Sequence, residues 1–274
     1  MNHDEGDPSL TKAFEDLDFL KREELRPVRL MLELAKAEIL QREAGIRSTI
    51  VVFGSARIKE RAEAEAQLAE ARRLRDRSPS DPTSERAVQT ALRMLENAKY
   101  YDLAREFGRV VSAACQGGGR CDYVVVTGGG PGIMEAANRG AHDVGAKSIG
   151  LNIVLPHEQR PNPFITHGLA FNFHYFAIRK MHFMLRAKAL VAFPGGFGTI
   201  DELFEALTLV QTGKVEHLPV VLVGRAFWEK ALNLPYFLEE GLISQDNLQL
   251  FRYAETAHEA WRHIVDYYAE YGKD

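Results

Sequence analysis

The sequence predicts an α/β fold in which a doubly wound parallel sheet carries helices on both faces. Short apolar runs alternate with helical patterns along most of the chain, which is typical of such a sheet. The runs are continuous rather than alternating, as parallel strands buried on both faces require. Glycine-rich or small-residue segments directly follow three of these runs, where such sheets bind ligands. We therefore expect a Rossmann-like architecture with an extra N-terminal helical segment.

Composition excludes several functional classes. The 274 residues are enough to bury a sizeable core, and a net charge of −4 without a long basic run argues against nucleic acid as a partner. Cys115 and Cys121 lack the spacing of a metal knuckle or a redox pair. The sequence contains neither a signal-peptide pattern nor an apolar run of the roughly 18 residues that a membrane span needs. We expect a cytoplasmic protein that does not bind membranes.

Residues 1–46 are predicted to form a helical extension, and residues 47–274 a nucleotide-binding domain. Apolar residues recur at helical spacing over residues 26–44, and Gly45 ends that pattern as a C′ glycine does. Because this helix precedes the first strand, at Thr49–Phe53, we expect it to form an added layer or a subunit contact.

A helical insertion is expected around residues 58–98. Turn-forming residues divide it at 78–84, and helix is predicted to resume at Glu85 and again at Tyr100. A crossover this long is unusual for an α/β unit. It is either a segment that contributes to an oligomer interface or a surface helical hairpin.

The alternation continues to the end of the chain. Further strands are predicted at residues 123–126, 148–154, 168–171 and 190–193, with 220–223 as the last strand, and helices at residues 133–145, 175–187, 226–233, 236–240 and 257–271.

The most informative segment, residues 193–205, reads FPGGFGTIDELFE. A strand ends at Pro194, glycines follow, and a helical pattern begins at Thr199. Glycines let a ligand approach the backbone, and the first amides of a helix have no internal partner, so the segment predicts an anion site. Glu202 lies just inside the same helix. Because a carboxylate there weakens phosphate binding, we expect it to contact a different part of the ligand.

Two further segments follow predicted strands, GSAR at 54–57 and TGGGPG at 127–132. Since carboxyl ends of parallel strands meet at one edge, we expect all three segments to face one crevice. The segment at 127–132 lacks the spacing of a dinucleotide fingerprint, which disfavours a dinucleotide. A tight turn without a ligand is the alternative interpretation of that segment.

The PGGFGTIDE run, with the Arg179–Lys180 pair and GGGPGIM at 128–134, resembles the LOG family, whose pattern is P-G-G-x-G-T-x-x-E. Every fixed position matches, and the resemblance covers roughly residues 50–225. It implies cleavage of the N-glycosidic bond of a nucleoside 5′-monophosphate, such as AMP or an N6-prenylated AMP. The products are a free base, which for some members is a cytokinin, and ribose 5-phosphate. No metal or organic cofactor is implied.

Some features depart from the short members of that family. Glu135 stands where they often have glycine, and the N-terminal helix and the insertion are additional. These features resemble the longer, second class of the family, and they imply a homo-oligomer that is a dimer or larger. They leave the preferred base open.

The residues themselves suggest how such a reaction is catalysed. Cleavage of an N-glycoside passes through an oxocarbenium-like state with positive charge on the sugar. A carboxylate stabilises that charge, orients water or holds ribose hydroxyls. Glu202 lies three residues after Thr199, about 4.5 Å along a helix axis, which reaches the ribose of a nucleotide whose phosphate is bound at the helix start. We predict Glu202 as the principal catalytic carboxylate, with a helix-dipole or capping role as the alternative.

Arg179 is the second predicted catalytic residue, because a guanidinium offers a planar fork of donors to phosphate or to the departing base. Lys180 faces elsewhere on the helix but can still reach phosphate. A solvated basic face is the alternative for both residues.

The residues predicted to contact substrate lie in the three segments or begin the helices beside them. They are Ser55, Arg57, Gly129, Gly130, Gly132, Glu135, Lys180, Gly195, Gly196, Gly198 and Thr199. Ordinary turn contacts are an equal alternative for Ser55 and Arg57, and a helix-dipole contact for Glu135.

Three other functions compete with this interpretation. A non-catalytic nucleotide sensor on this scaffold is disfavoured because binding alone does not need Glu202 and Arg179. A pyridoxal phosphate-dependent decarboxylase needs a Schiff-base lysine, and neither Lys180 nor Lys188 lies in a recognisable cofactor motif. A purely structural oligomeric scaffold is suggested only by the extra helices.

Overall fold

One parallel sheet contains every strand of residues 8–78, 80–154 and 160–271, the part of the chain that the computed structural model describes. The strands are β1 (Thr49–Phe53), β2 (Val124–Thr127), β3 (Ser148–Ile153), β4 (Ala170–Phe173), β5 (Ala187–Ala192), β6 (Val220–Val223) and β7 (Phe251–Ala254). Their order is β4-β3-β2-β1-β5-β6-β7, with all pairs parallel. The predicted doubly wound α/β fold is confirmed.

Helices cover both faces of this sheet. They are α1 (Leu17–Leu20), α2 (Arg26–Glu43), α3 (Arg61–Arg77), α4 (Pro82–Cys115), α5 (Ile133–Asp143), α6 (Phe176–Leu185), α7 (Phe197–Gln211), α8 (Arg225–Ala231), α9 (Leu234–Glu239) and α10 (Ala257–Tyr271). Short 3₁₀ turns lie at Pro8–Leu10, Glu23–Leu25 and Gln245–Gln249. Within the described ranges, no helix combines the length and the apolar character needed to cross a bilayer.

Strand β1 supplies side chains to two separate cores. Val51 and Phe53 pack on the face covered by α2, α6 and α7, whereas Ile50 and Val52 pack on the face covered by α4, α5 and α10. Successive strand residues point to opposite faces, so a strand buried on both sides must be apolar throughout. This explains the continuous apolar run in the sequence.

The crossover between β1 and β2 is a helical hairpin. Helix α4 begins at Pro82 rather than at the predicted Glu85, because Asp81 caps it by accepting a 2.9 Å hydrogen bond from the Thr83 amide. It then continues without the predicted second break for 34 residues. Leu68 of α3 and Val88 of α4 belong to a small core of their own. A role of this hairpin in oligomerisation stays a prediction.

The N-terminal helix predicted at residues 26–44 is confirmed as α2, which packs against α6. Residues 1–7 of the predicted extension lie outside the described residues. The division into segments 1–46 and 47–274 stays a prediction.

The prediction that residues 220–223 form the last strand is wrong. Strand β7 pairs with β6 and forms one edge of the sheet. Phe251 and Tyr253 are half-buried whereas Arg252 is exposed. A strand at the edge of a sheet needs no continuous apolar run, so the sequence FRYA did not meet the criterion that identified the buried strands.

Helices α4 and α5 cross at two glycines. A Cβ on Gly140 of α5 would lie 2.0 Å from the carbonyl oxygen of Arg105, and one on Gly108 of α4 would lie 2.2 Å from that of Ala137. Only glycine permits backbones to approach this closely. The crossing fixes α5, whose N-terminus follows the glycine segment 127–132.

We predict that Gly140→Ala destabilises the protein. Alanine favours a helix by about 1 kcal/mol over glycine, so an exposed site would gain stability. Here the added methyl group meets backbone, and we expect a net loss of about 1–3 kcal/mol in the free energy of unfolding, measured by urea denaturation.

The matched control is Gly117→Ala, because a Cβ at Gly117 has no neighbour within 4 Å and its φ is not positive. We expect a change within about 0.5 kcal/mol for the control. An unfolding free energy for Gly140→Ala equal to or above that of the wild type would contradict the close crossing.

Candidate active site

The three segments predicted to share one crevice are joined to each other at the carboxyl ends of the strands. The Ser55 amide donates to the carbonyl of Pro194 at 3.0 Å, and the Ser55 carbonyl accepts from the Ile133 amide at 3.1 Å. The segment after β1 therefore links the segments that follow β2 and β5. Strands β1 and β5 flank the point where the strand order reverses, which is where open α/β sheets bind ligands.

The segment after β5 presents unpaired backbone donors. Helix α7 begins at Phe197, two residues earlier than predicted. Among the described residues, none accepts a hydrogen bond from the amides of Gly196, Phe197 or Gly198, whereas the Thr199 and Ile200 amides both donate to the Gly196 carbonyl at 3.0 Å. A Cβ on Gly196 or Gly198 would meet nothing within 4 Å. An anion can therefore approach these amides without obstruction.

Gly195 has a different role from the other glycines of this segment. A Cβ there would lie 2.1 Å from Oγ1 of the buried Thr199. Gly195 is therefore required for the turn to pack on Thr199, independently of any ligand.

The segment after β2 is closed rather than open. Gly129 and Gly132 have φ values of 74° and 73°, a region that favours glycine. A Cβ on Gly129 would lie 2.3 Å from the Asn152 side chain, and one on Gly132 would lie 2.5 Å from the Ser55 carbonyl oxygen. These glycines are explained by packing between segments, and their contact with a nucleotide stays a prediction.

A buried amide network that sequence reasoning missed holds this closed segment. Asn162 Nδ2 donates to the carbonyls of Gly129 and Gly130 at 3.2 and 3.1 Å, and to Asn138 Oδ1 at 3.0 Å. Asn138 Oδ1 also accepts from the Thr127 hydroxyl at 2.7 Å. No spacing in the sequence connects Asn138 with Asn162, because only the fold brings them together.

Arg179 lies beside the closed segment and close enough to Glu202 of α7 for their charges to interact. Its Nε donates to the Leu151 carbonyl at 2.7 Å, and its guanidinium carbon lies 5.2 Å from the centre of the Phe183 ring. A Cβ on Gly128 would lie 2.7 Å from Nη2 of Arg179. Burial lowers the pKa of Arg179, and the nearby charge of Glu202 opposes that shift. The alternative of a solvated basic face is wrong for this residue.

Glu202 is buried in the second turn of α7, with 8% of its surface exposed. Burial raises its pKa, while Lys180 and Arg179 act in the opposite direction. Helix-dipole and capping effects fall off within the first turn. Because α7 begins at Phe197, these effects do not account for a carboxylate at position 202.

Lys180 is half-buried, so a solvated basic face is wrong for it as well. Its Nζ lies 2.9 Å from Asp201 Oδ2, 3.2 Å from Glu202 Oε2 and 2.7 Å from Glu205 Oε2. Burial alone would lower the pKa of Lys180, but hydrogen bonds to Glu205 and Asp201 raise it overall. The predicted contact of Lys180 with phosphate remains a prediction.

The remaining residues predicted to contact the substrate differ in whether their side chains already bind protein groups. Ser55 Oγ accepts from the Arg57 amide at 3.1 Å, and the Arg57 side chain is exposed without an ion pair to any described residue. Glu135 Oε1 accepts from the Tyr101 hydroxyl of α4 at 2.9 Å. Burial raises the pKa of Tyr101 to about 12.

A separate cavity of about 1290 Å³ opens at the amino ends of β5, β6 and β7. Lys188 and Arg252 line it together with Glu216 and Asp246, so its lining carries charges of both signs. None of the predicted site residues lines this cavity. Across the described ranges, no group of three or more His, Cys, Asp or Glu residues is arranged to hold a metal ion.

Comparison with known proteins places the chain in a family. Residues 134–264 match a family described as "Possible lysine decarboxylase". The cytokinin riboside 5′-monophosphate phosphoribohydrolase LOG of Oryza sativa subsp. japonica is 30% identical over 178 residues, covering 64% of this chain and 69% of the relative. The phosphoribohydrolase LOG4 of Arabidopsis thaliana is 29% identical over 148 residues, covering 53% and 67%.

Solved structures give more distant matches. The crystal structure of TM1055 is 20% identical with a TM-score of 0.47, covering 80% of this chain and 99% of that one. The molybdenum cofactor binding protein of Rippkaea orientalis is 20% identical with a TM-score of 0.43, covering 61% and 86%. The family is established by the match to the rice relative, together with the PGGFGTIDE run: this chain belongs to the LOG family.

Proposed function

We propose that this chain hydrolyses the N-glycosidic bond of a nucleoside 5′-monophosphate, releasing a free base and ribose 5-phosphate. The observation that carries the proposal is the position of Glu202, a buried carboxylate in the turn after the free amides of residues 196–198. Relatives in rice and Arabidopsis that are named phosphoribohydrolases support the same reaction.

Each part of the substrate has a partner in this proposal. The 5′-phosphate accepts hydrogen bonds from the amides at the start of α7, where the helix dipole also favours an anion. The ribose then lies beside Glu202, whose ionised carboxylate stabilises the positive charge that develops on the sugar or orients the attacking water. Burial strengthens this electrostatic interaction because little water screens it.

Arg179 acts on the phosphate or on the departing base. Its Nε is occupied by the Leu151 carbonyl, whereas its Nη1 and Nη2 donate no hydrogen bond to the described residues. The fixed Nε bond sets the plane of the guanidinium and leaves two donors for the ligand. An arginine is a poor acid, so the proposed role is positioning and charge stabilisation.

Lysine decarboxylation, which the family description suggests, fits the site poorly. A Schiff base forms from a neutral amine, but three carboxylates around Lys180 raise its pKa. Lys188, the other candidate, is exposed and lies beside the cavity at the amino ends of the strands, away from the glycine segments.

We also propose that the protein is a homo-oligomer. Phe176, Met181 and Leu185 of α6 are about half exposed, and Met31 of α2, the helix packed on α6, is 70% exposed. Exposed large apolar side chains on two helices that pack together are typical of a contact surface, and a second copy of the chain would cover them. A cytoplasmic location stays a prediction.

The reaction is tested by incubating the protein with AMP, GMP, CMP, UMP and an isopentenyl-AMP, and separating the products by chromatography. We expect a free base and ribose 5-phosphate from at least one of them, and the relative rates identify the preferred base. A thermal shift with AMP but no product from any nucleotide would instead indicate the non-catalytic sensor.

We predict that Glu202→Gln lowers kcat by about 10²–10³-fold, because the amide keeps the size and hydrogen bonding of the side chain but removes its charge. KM should change by less than about threefold, since the phosphate contacts remain. Steady-state release of the preferred base measures both parameters.

The matched control for this variant is Asp201→Asn on the same helix. Asp201 also pairs with Lys180, but its side chain is 61% exposed. We expect kcat within about threefold of the wild type, as for a solvated pair. A Glu202→Gln enzyme with near-normal kcat would refute the catalytic assignment.

We predict that Gly198→Ala raises KM without weakening the fold. Because a Cβ there meets nothing within 4 Å, the protein itself does not require glycine at this position. A methyl group beside the free amides obstructs a bound phosphate, and we expect KM to rise by about tenfold or more, equivalent to about 1.4 kcal/mol. Thermal denaturation should show an unchanged or higher Tm, and an unchanged KM would argue against phosphate at this turn.

A further inference from the structure

The ammonium group of Lys180 is surrounded by carboxylates from a neighbouring helix. Asp201, Glu202 and Glu205 of α7 each place one oxygen within 3.2 Å of its Nζ. The Lys180 side chain is 18% exposed and that of Glu202 is 9% exposed, so the pair formed by these two residues is the most buried of the three. This arrangement uses one lysine to bridge α6 and α7 beside the proposed phosphate site.

Carboxylates from three residues lie against the ammonium of Lys180: Nζ donates a hydrogen bond to Glu205 Oε2 and forms ion pairs with Asp201 and Glu202. An ammonium has three N–H donors and no acceptor, and the three carboxylates supply one acceptor each. A phosphate that approached Lys180 would also approach these three carboxylates, whose negative charges repel it. Lys180 is therefore poorly suited to be a phosphate ligand.

The balance of charge around Glu202 depends on Lys180. Its charged neighbours on α6 are Arg179 and Lys180, and those on α7 are Asp201 and Glu205. Without Lys180, three carboxylates would face a single guanidinium. The most buried of them would then be the first to take up a proton, because burial disfavours its charged form.

We propose that Lys180 is a positioning residue whose ammonium keeps the Glu202 carboxylate ionised and fixed in place. The inference rests on the proposed function, because it assigns a task to Lys180 in the same reaction. It replaces the predicted contact of Lys180 with phosphate.

The test is the pH dependence of kcat in Lys180→Met and Lys180→Arg. The acid limb of kcat reports a group that must be ionised in the enzyme–substrate complex. Loss of the cation raises the pKa of Glu202, so activity is lost at a higher pH as the solution is acidified. At a pH on the acid limb, we expect the kcat of Lys180→Met to be about one tenth of the wild-type kcat. Its KM should stay within about threefold of the wild-type value. Lys180→Arg retains the positive charge, so its acid limb should lie at the same pH as that of the wild type.

Glu205→Gln is a control of opposite sign. The charge of Glu205 raises the pKa of Glu202, so its removal should move the acid limb to lower pH. An unmoved limb in Lys180→Met, together with a KM raised about tenfold or more, would overturn the inference and identify Lys180 as a phosphate ligand.

A second readout separates this inference from the proposed reaction. Carbon-13 NMR titration of labelled glutamate carboxyl groups, with Glu202→Gln used for assignment, follows the ionisation of Glu202 without turnover. We expect its midpoint to rise in Lys180→Met, and an unchanged midpoint would overturn the inference. If the wild type releases no base from any nucleotide, the proposed function fails while the titration still decides the role of Lys180.

Discussion

The unpaired amides at the start of α7 are the feature on which the rest of the proposed site depends. A helix always leaves its first amides without internal partners, and here glycines on either side of Phe197 keep them accessible. The helix carries no acidic side chain in its first turn, so nothing there competes with an incoming anion. The acidic residues begin in the second turn, so Glu202 lies further along the helix axis than these amides rather than beside them.

The remainder of the fold holds this helix start against its neighbours. Ser55 joins the segments after β2 and β5 through its backbone, and Asn162 fixes the segment after β2 from a loop that follows β3. Arg179 is anchored on the carbonyl of Leu151 in β3. The site is therefore assembled from residues far apart in sequence, each oriented by a buried contact. Such fixed donors and charges need little rearrangement during a reaction.

Much of this arrangement follows from local sequence, and the rest depends on tertiary contacts. The buried strands and the three segments after them could be predicted because burial on both faces leaves an unbroken apolar run. Strand β7 could not, since Arg252 interrupts its pattern at an exposed edge. The sequence pattern predicts that α7 starts at Thr199, two residues after its actual start, because glycines mask a helical pattern. The Asn138–Asn162 network and the carboxylates around Lys180 have no local signature, because the paired residues lie on different elements.

The most direct measurement is a crystal structure of the wild-type protein with ribose 5-phosphate, the proposed product. We expect phosphate oxygens within hydrogen-bonding distance of the backbone amides of residues 196–198, with the sugar hydroxyls facing the Glu202 carboxylate. A phosphate bound elsewhere, with those amides unoccupied and Glu202 in contact only with protein, would contradict it.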